Sequence, residues 1–331
     1  MKPHRFLIVR LGSLGDVVHG IPTAAALRAH FPDARIDWLV DPRYVELLDR
    51  VRCLDARIGV DTRHVLSTLR TIRDLRGVRY HAVIDLQGLA KSAVLARAAR
   101  GEITIGFPKA HLRESIARLW YSETPDPGSA AHVIHKNLAL LEPLGVRQPR
   151  VEFPLDVSVT RAAEQVRSRA GARGFALINP GAAWPNKRWP PDRFGALAAL
   201  VRERHGLGSV VLWGPGEQSL AQSVVAASHG SAELAPETTI TDLCALARDA
   251  KLLVSGDTGP LHIGAAVGTP IVALFGPTWA ERNGPWSAAD VVVTRAGQCS
   301  CHYQRRCRTG KPCIEEITFA EVVGAVERRL G

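Results

Sequence analysis

The chain has 331 residues, 46% of them hydrophobic, enough for two cores of about 150 residues each. Lys and Arg outnumber Asp and Glu by 42 to 32, and the excess lies in residues 1–150, which hold 23 basic and 15 acidic residues. Such a field suits a phosphorylated acceptor or an anionic membrane face; with no basic run interleaved with aromatic rings, no nucleic-acid partner is expected.

Phe6-Leu7-Ile8-Val9 is a continuous apolar run of the kind a buried parallel strand shows, and it is too short for a signal peptide. Leu11-Gly12-Ser13-Leu14-Gly15-Asp16 follows and leads into a helix over residues 17–30. The turn lacks the Gly-x-Gly-x-x-Gly spacing, and no acidic ribose reader stands about 20 residues on, so a dinucleotide fold is unsupported. Asp16 at a helix start has two readings, a cap or a catalytic carboxylate, and both stay open. The spacing then predicts a strand at 36–40, helices at 44–50 and 63–76, and a strand at 81–86. This alternation argues for a parallel sheet covered by helices. The next turn runs from Asp85 to Ser92, at a strand's carboxyl end, where open α/β sheets place ligands; it brings Gln87 and Lys91 toward Asp16. Arg113 and its basic neighbours extend the positive field. Three prolines, Pro143, Pro149 and Pro154, mark the interdomain connection within 142–154.

The second half repeats the rhythm, with strands at 176–178, 209–213, 251–254 and 271–275 and helices at 191–205, 216–227, 241–250 and 260–267. Residues 258–280 lack charge, but Pro260, Pro270, Pro277 and repeated glycines read as a helix followed by a buried strand, not a membrane span. Three loops leave strand ends and are expected to cluster. Residues 179–190 offer Gly181, Lys187 and Arg188 in a loop stiffened by Pro and Trp. Residues 213–218 offer Glu217, a helix-dipole partner or a reader of ribose hydroxyls. Residues 255–262 end a strand in Gly-Asp-Thr-Gly and turn into a helix, which brings backbone N–H groups and a dipole end to one point and suits phosphate. Lys187 or Arg188 with those amides makes a diphosphate clamp, and Asp257 either caps the helix or faces the ligand. No Asp-x-Asp pair is placed for Mg²⁺, and no cofactor is required. Cys299, Cys301, Cys307 and Cys313 lie in one basic loop; a structural Zn²⁺ and reduced thiols are both compatible with their spacing.

The chain resembles glycosyltransferase family 9, the ADP-heptose:lipopolysaccharide heptosyltransferases, over nearly its whole length. The resemblance rests on residues 11–16, 85–92, 179–190, 213–217 and 257–262 in order, and Asp85-x-Gln87-Gly88-Leu89-x-Lys91-Ser92 with Arg113-Glu114 is most like the heptosyltransferase I branch. It implies an α/β fold of GT-B type, two Rossmann-like domains facing a cleft: 1–155 for the acceptor and 156–318 for the nucleotide sugar, with residues 319–331 as a helix packing back on the first. It implies Asp16 as general base and Lys187 as the neutraliser of a departing diphosphate. Gly181, Glu217, Asp257, Thr258, Gly259 and His262 would hold ADP-heptose, and Ser13, Gly15, Gln87, Lys91 and Arg113 an anionic lipid-linked saccharide at the inner membrane surface. Ala182 and Ala183 depart from the threonines that some heptosyltransferase I proteins carry. The same fold hosts transferases of other nucleotide sugars, epimerases and non-catalytic binders, so the fold alone does not choose.

Overall fold

The computed structural model describes residues 4–308 and 310–331. The chain divides into two units, one ending at Asp156 and one beginning at Val157.

In the first unit the order is β1 (Arg5–Val9), α1 (Leu14–His30), β2 (Arg35–Val40), α2 (Val45–Asp49), β3 (Ala56–Gly59), α3 (Val65–Arg76), β4 (Ala82–Asp85), α4 (Ala90–Ala98), β5 (Ile103–Ile105) and α5 (Val133–Ala139). The strands pair in parallel in the order β3-β2-β1-β4-β5. β1, β2 and β4 are buried on both faces, which explains their unbroken apolar runs. Helix α1 lies close on the sheet because Gly20 permits it; a Cβ there would stand 2.7 Å from the Trp38 ring. The proline-rich stretch after α5 returns alongside Val51, with Arg52 N donating to Pro154 O at 3.0 Å.

The second unit contains α6 (Arg161–Ala170), β6 (Phe175–Asn179), α7 (Pro191–His205), β7 (Gly208–Val211), α8 (Gln218–Ala227), β8 (Ala232–Leu234), α9 (Ile240–Asp249), β9 (Leu252–Gly256), α10 (Gly259–Val267), β10 (Ile271–Phe275), α11 (Ala280–Asn283), β11 (Val291–Thr294) and α12 (Phe319–Leu330). Its strands are parallel in the order β11-β10-β9-β6-β7-β8. Pro191 opens α7 and Gly206, in the left-handed region, closes it.

Helix α12 contributes to the core of the second unit. Its apolar stripe, Val322, Ala325 and Val326, lies in the second unit's own core with Leu274 and Val293, against β10, β11 and α7. The approach to it is pinned by Trp189 Nε1 and Arg193 Nη1, both donating to Ile317 O at 2.9 Å. Among the described residues no helix is long and apolar enough to cross a membrane.

Both sheets change direction once. The first begins at β1 and later returns beside it with β4; the second begins at β6 and returns beside it with β9. In open parallel sheets such a reversal is the place where ligands bind, beyond the strand ends.

Candidate functional site

At the first reversal the loops after β1 and β4 are tied together. Leu11 N donates to Gln87 Oε1 at 2.8 Å, and the buried Arg10 guanidinium donates to Leu86 O. The other side of Arg10 meets Asp16, with Nη2 2.5 Å from Oδ1. Ser13 closes the same carboxylate from below, its N and Oγ donating to Asp16 Oδ2 at 3.1 and 3.0 Å. Asp16 therefore caps α1 and still presents part of its side chain to solvent, 29% of it. Capping and catalysis are compatible here.

Beneath this loop Asp85 is fully buried. It accepts from Tyr121 Oη at 2.7 Å, Ser92 Oγ at 2.8 Å and Gln87 N at 2.8 Å. Burial still pushes its pKa up against those bonds. Asp85 shapes the turn that presents Gln87. Lys91 and Arg113 are exposed, on the first turn of α4 and in the loop preceding the 3-10 turn Ser115–Trp120. That loop is fastened to α4 by Glu114, which accepts from Ala90 N at 2.8 Å. Ser13 is exposed and Gly15 buried.

At the second reversal the loops after β6 and β9 meet around Asn179. Its Nδ2 donates to Thr258 Oγ1 at 2.8 Å and Ser255 Oγ at 3.0 Å. Lys187 reaches from one loop to the other, with Nζ 2.5 Å from Asp257 Oδ2 and 4.6 Å from the Trp184 ring centre. Asp257 is only 7% exposed and also accepts from Thr278 Oγ1 at 2.7 Å and Asn283 Nδ2 at 2.5 Å, while His262 Nε2 lies 3.3 Å from Oδ1. Its carboxylate turns toward these groups, and α10 begins at Gly259 without a side-chain cap, which settles the local ambiguity of Asp257 against capping. The first-turn amides of α10 lie beside Lys187's partner.

Burial opposes ionisation of Asp257, but the His262 hydrogen bond and the Lys187 charge outweigh it and hold the carboxyl well below the usual range. A depressed folded pKa contributes stability that is present above the unfolded value of about 3.9 and is lost only as pH falls through the folded one. Urea unfolding of wild type against Asp257→Asn is thus expected to show a constant stability difference from neutral pH to mildly acidic pH. The difference should shrink only once the pH is below about 4; one that instead grows in acid would contradict the assignment.

Glu217, just before α8, accepts from Gly214 N at 3.2 Å and stands 3.7 Å from Arg188 Nη2. It sits so close over Gly181 that a Cβ there would be 2.1 Å from its Oε2. Arg188 in turn donates to Ala182 O at 2.7 and 2.9 Å, so the Ala182-Ala183 stretch is fixed through its backbone.

The structure thus gathers Gly181, Lys187, Glu217, Asp257, Thr258, Gly259 and His262 at one set of strand ends, and Ser13, Gly15, Asp16 and Gln87 at the other. Sequence reasoning missed Arg10, Asn179, Thr278 and Asn283. Arg10 directly follows a buried strand, which was a usable signal. Thr278 and Asn283 follow β10, and the strand-end rule that found the other loops extends to theirs. Among the cysteines, Cys301 and Cys307 have their sulfurs 3.7 Å apart and Arg308 N donates to Cys301 Sγ at 3.2 Å. Among the described residues no three His, Cys, Asp or Glu side chains stand in metal-holding geometry, and no disulfide is formed.

Two parallel α/β units, each with a polar cluster at its strand reversal, form the GT-B architecture, and the family match supplies the class, a glycosyltransferase. The chain belongs to glycosyltransferase family 9 (heptosyltransferase), whose model matches residues 68–312. It is 26% identical over 294 residues to lipopolysaccharide heptosyltransferase 1 of Campylobacter coli, covering 84% of this chain and 86% of that one. It is 26% identical over 334 residues to lipopolysaccharide heptosyltransferase 3 of Escherichia coli, covering 96% and 95%. The structure of E. coli heptosyltransferase WaaC with ADP matches with a TM-score of 0.80 at 23% identity, over 98% of this chain and 99% of that one.

Proposed function

We propose that this protein transfers heptose from ADP-heptose to the lipopolysaccharide inner core, a Kdo-lipid A or an already heptosylated acceptor, at the cytoplasmic face of the membrane. The observation that carries the reading is the Lys187–Asp257–His262 cluster beside the uncapped start of α10, at the reversal of the second sheet. A diphosphate there meets a cation and helix amides together.

In this reading Asp16 takes the proton from the acceptor hydroxyl as its oxygen attacks the anomeric carbon on the face opposite the leaving ADP, which inverts the anomeric configuration. Arg10 pairs with the Asp16 carboxylate and aims it. Lys187 stabilises the charge that builds on the departing diphosphate, and needs no metal to do so. Asp257, its oxygens occupied by four side chains, positions Lys187 and His262 rather than gripping sugar hydroxyls. Glu217 reads the ribose, and Thr258 and Gly259 line the phosphates. Gln87, Lys91 and Arg113 face the acidic groups of the acceptor.

Nucleotide choice tests the donor half. ADP is expected to raise the melting temperature of the protein more than UDP or GDP at equal concentration, since a ligand that binds only the folded state stabilises it in proportion to occupancy. An equal or larger shift with UDP would overturn ADP as the donor nucleotide.

A further inference from the structure

We propose that the face of the first unit formed by α3, α4 and the turn Ser115–Trp120 is a docking surface for an anionic phospholipid bilayer. Six of the ten large apolar side chains left exposed among the described residues lie on these three segments: Val65, Leu66, Leu69, Val94, Ile116 and Leu119. Val65, Leu66 and Leu119 are 73%, 72% and 78% exposed, far beyond what a half-covered helix position requires.

The three segments are neighbours. Helix α4 packs against α3 through Leu75, Leu95 and Ala96, and against the turn through Ala93, Ala117 and Tyr121. Packing in this way leaves Lys91, Val94 and Arg97 as the outward stripe of α4, at a spacing of three residues. On α3, Leu66 and Leu69 share their side with Arg70 and Arg73, all exposed. The acids on this face are engaged: Asp74 accepts from Arg73 Nε at 3.1 Å, and Glu114 caps α4.

The combination selects the partner. Scattered exposed leucines need no explanation, but leucines grouped among arginines match the make-up of interfacial helices, which sink apolar side chains below the headgroups while basic ones snorkel to lipid phosphates. A protein partner of purely apolar character would leave these cations buried and unpaired; an anionic headgroup layer pairs each of them, at a gain that salt screens. The proposal deepens the reading of a lipid-linked acceptor and rests on it for its purpose, while its vesicle-binding readout needs no acceptor.

The experiment is co-sedimentation of the full-length protein with vesicles of phosphatidylethanolamine and phosphatidylglycerol, and with vesicles of phosphatidylcholine alone. The wild type is expected to bind the anionic vesicles, and raised salt to release it. The triple variant Leu66→Ser, Leu69→Ser, Leu119→Ser is expected to bind at least about tenfold more weakly, since each loses a buried aliphatic group. Its transfer to a deacylated, water-soluble acceptor should match wild type, which shows that the fold survives. Equal vesicle binding by wild type and variant, no binding by wild type, or equal binding to phosphatidylcholine would overturn the proposal. So would a wild-type dimer that the triple variant dissolves, because the face would then serve a second copy. Vesicle binding without any transfer to the soluble acceptor would leave this surface standing and sink the proposed function instead.

Discussion

Replacing Asp16 with Asn is expected to slow heptosyl transfer by about 10²- to 10⁴-fold, the range a general base contributes, while ADP binds as before. The expectation follows from where the carboxylate lies. It is held by Arg10 and by two donors of Ser13, yet part of it still faces solvent. Asn keeps the volume and one carbonyl acceptor for Ser13, so the cap of α1 largely survives and the loss reports on the proton. Calorimetry with ADP and a steady-state transfer assay on the same preparation separate the two effects. Undiminished turnover in Asp16→Asn would remove the residue from the chemistry; loss of ADP binding would make it structural.

The second large effect is expected at Lys187. Changing it to Ala leaves the Asp257 carboxylate buried with three neutral or titratable partners and no fixed cation, a loss of about 3 kcal/mol of stability, at the low end for a broken buried pair because Thr278 and Asn283 remain. Transfer should fall as well, through the missing charge at the leaving group, by about 10²- to 10³-fold by analogy with a removed oxyanion donor. Lys187→Arg keeps the charge and should recover stability more fully than rate, because a planar guanidinium does not reproduce a compact ammonium packed over Trp184. Denaturant unfolding and kcat measured together check this. A Lys187→Ala variant with wild-type rate would take the residue out of the leaving-group role.

Much of the fold was legible because its central strands are buried on both faces and read as unbroken apolar runs. Residues 271–275 and 191–205 appear in the structure with the expected limits, as β10 and α7. The strands that the pattern missed are β3, β5, β8 and β11, all at or near sheet edges. They are three or four residues long and largely half-buried, so neither length nor hydrophobicity marks them. Helix α12 has the expected limits, but an amphipathic stripe states that a face is buried and not against what.

The site was legible where loops leave strand ends. Gly-x-x-Gly turns and adjacent cations there carry a physical meaning independent of the rest of the chain. What remained hidden was partnership. Nothing local to Asp257 announces that Thr278 and Asn283, 21 and 26 residues later, take up its oxygens. Nor does any local feature show that Gly181 is needed for the seat of Glu217, a contact made only when two loops meet.

The most direct test is transfer itself. The purified protein, given ADP-heptose and Kdo-lipid A or its heptosylated form, should release ADP in step with formation of a heptosylated acceptor whose new linkage has the inverted anomeric configuration. Mass spectrometry with NMR of the anomeric proton reads both. ADP release at the same rate without acceptor, or a product with retained configuration, would contradict the proposed function.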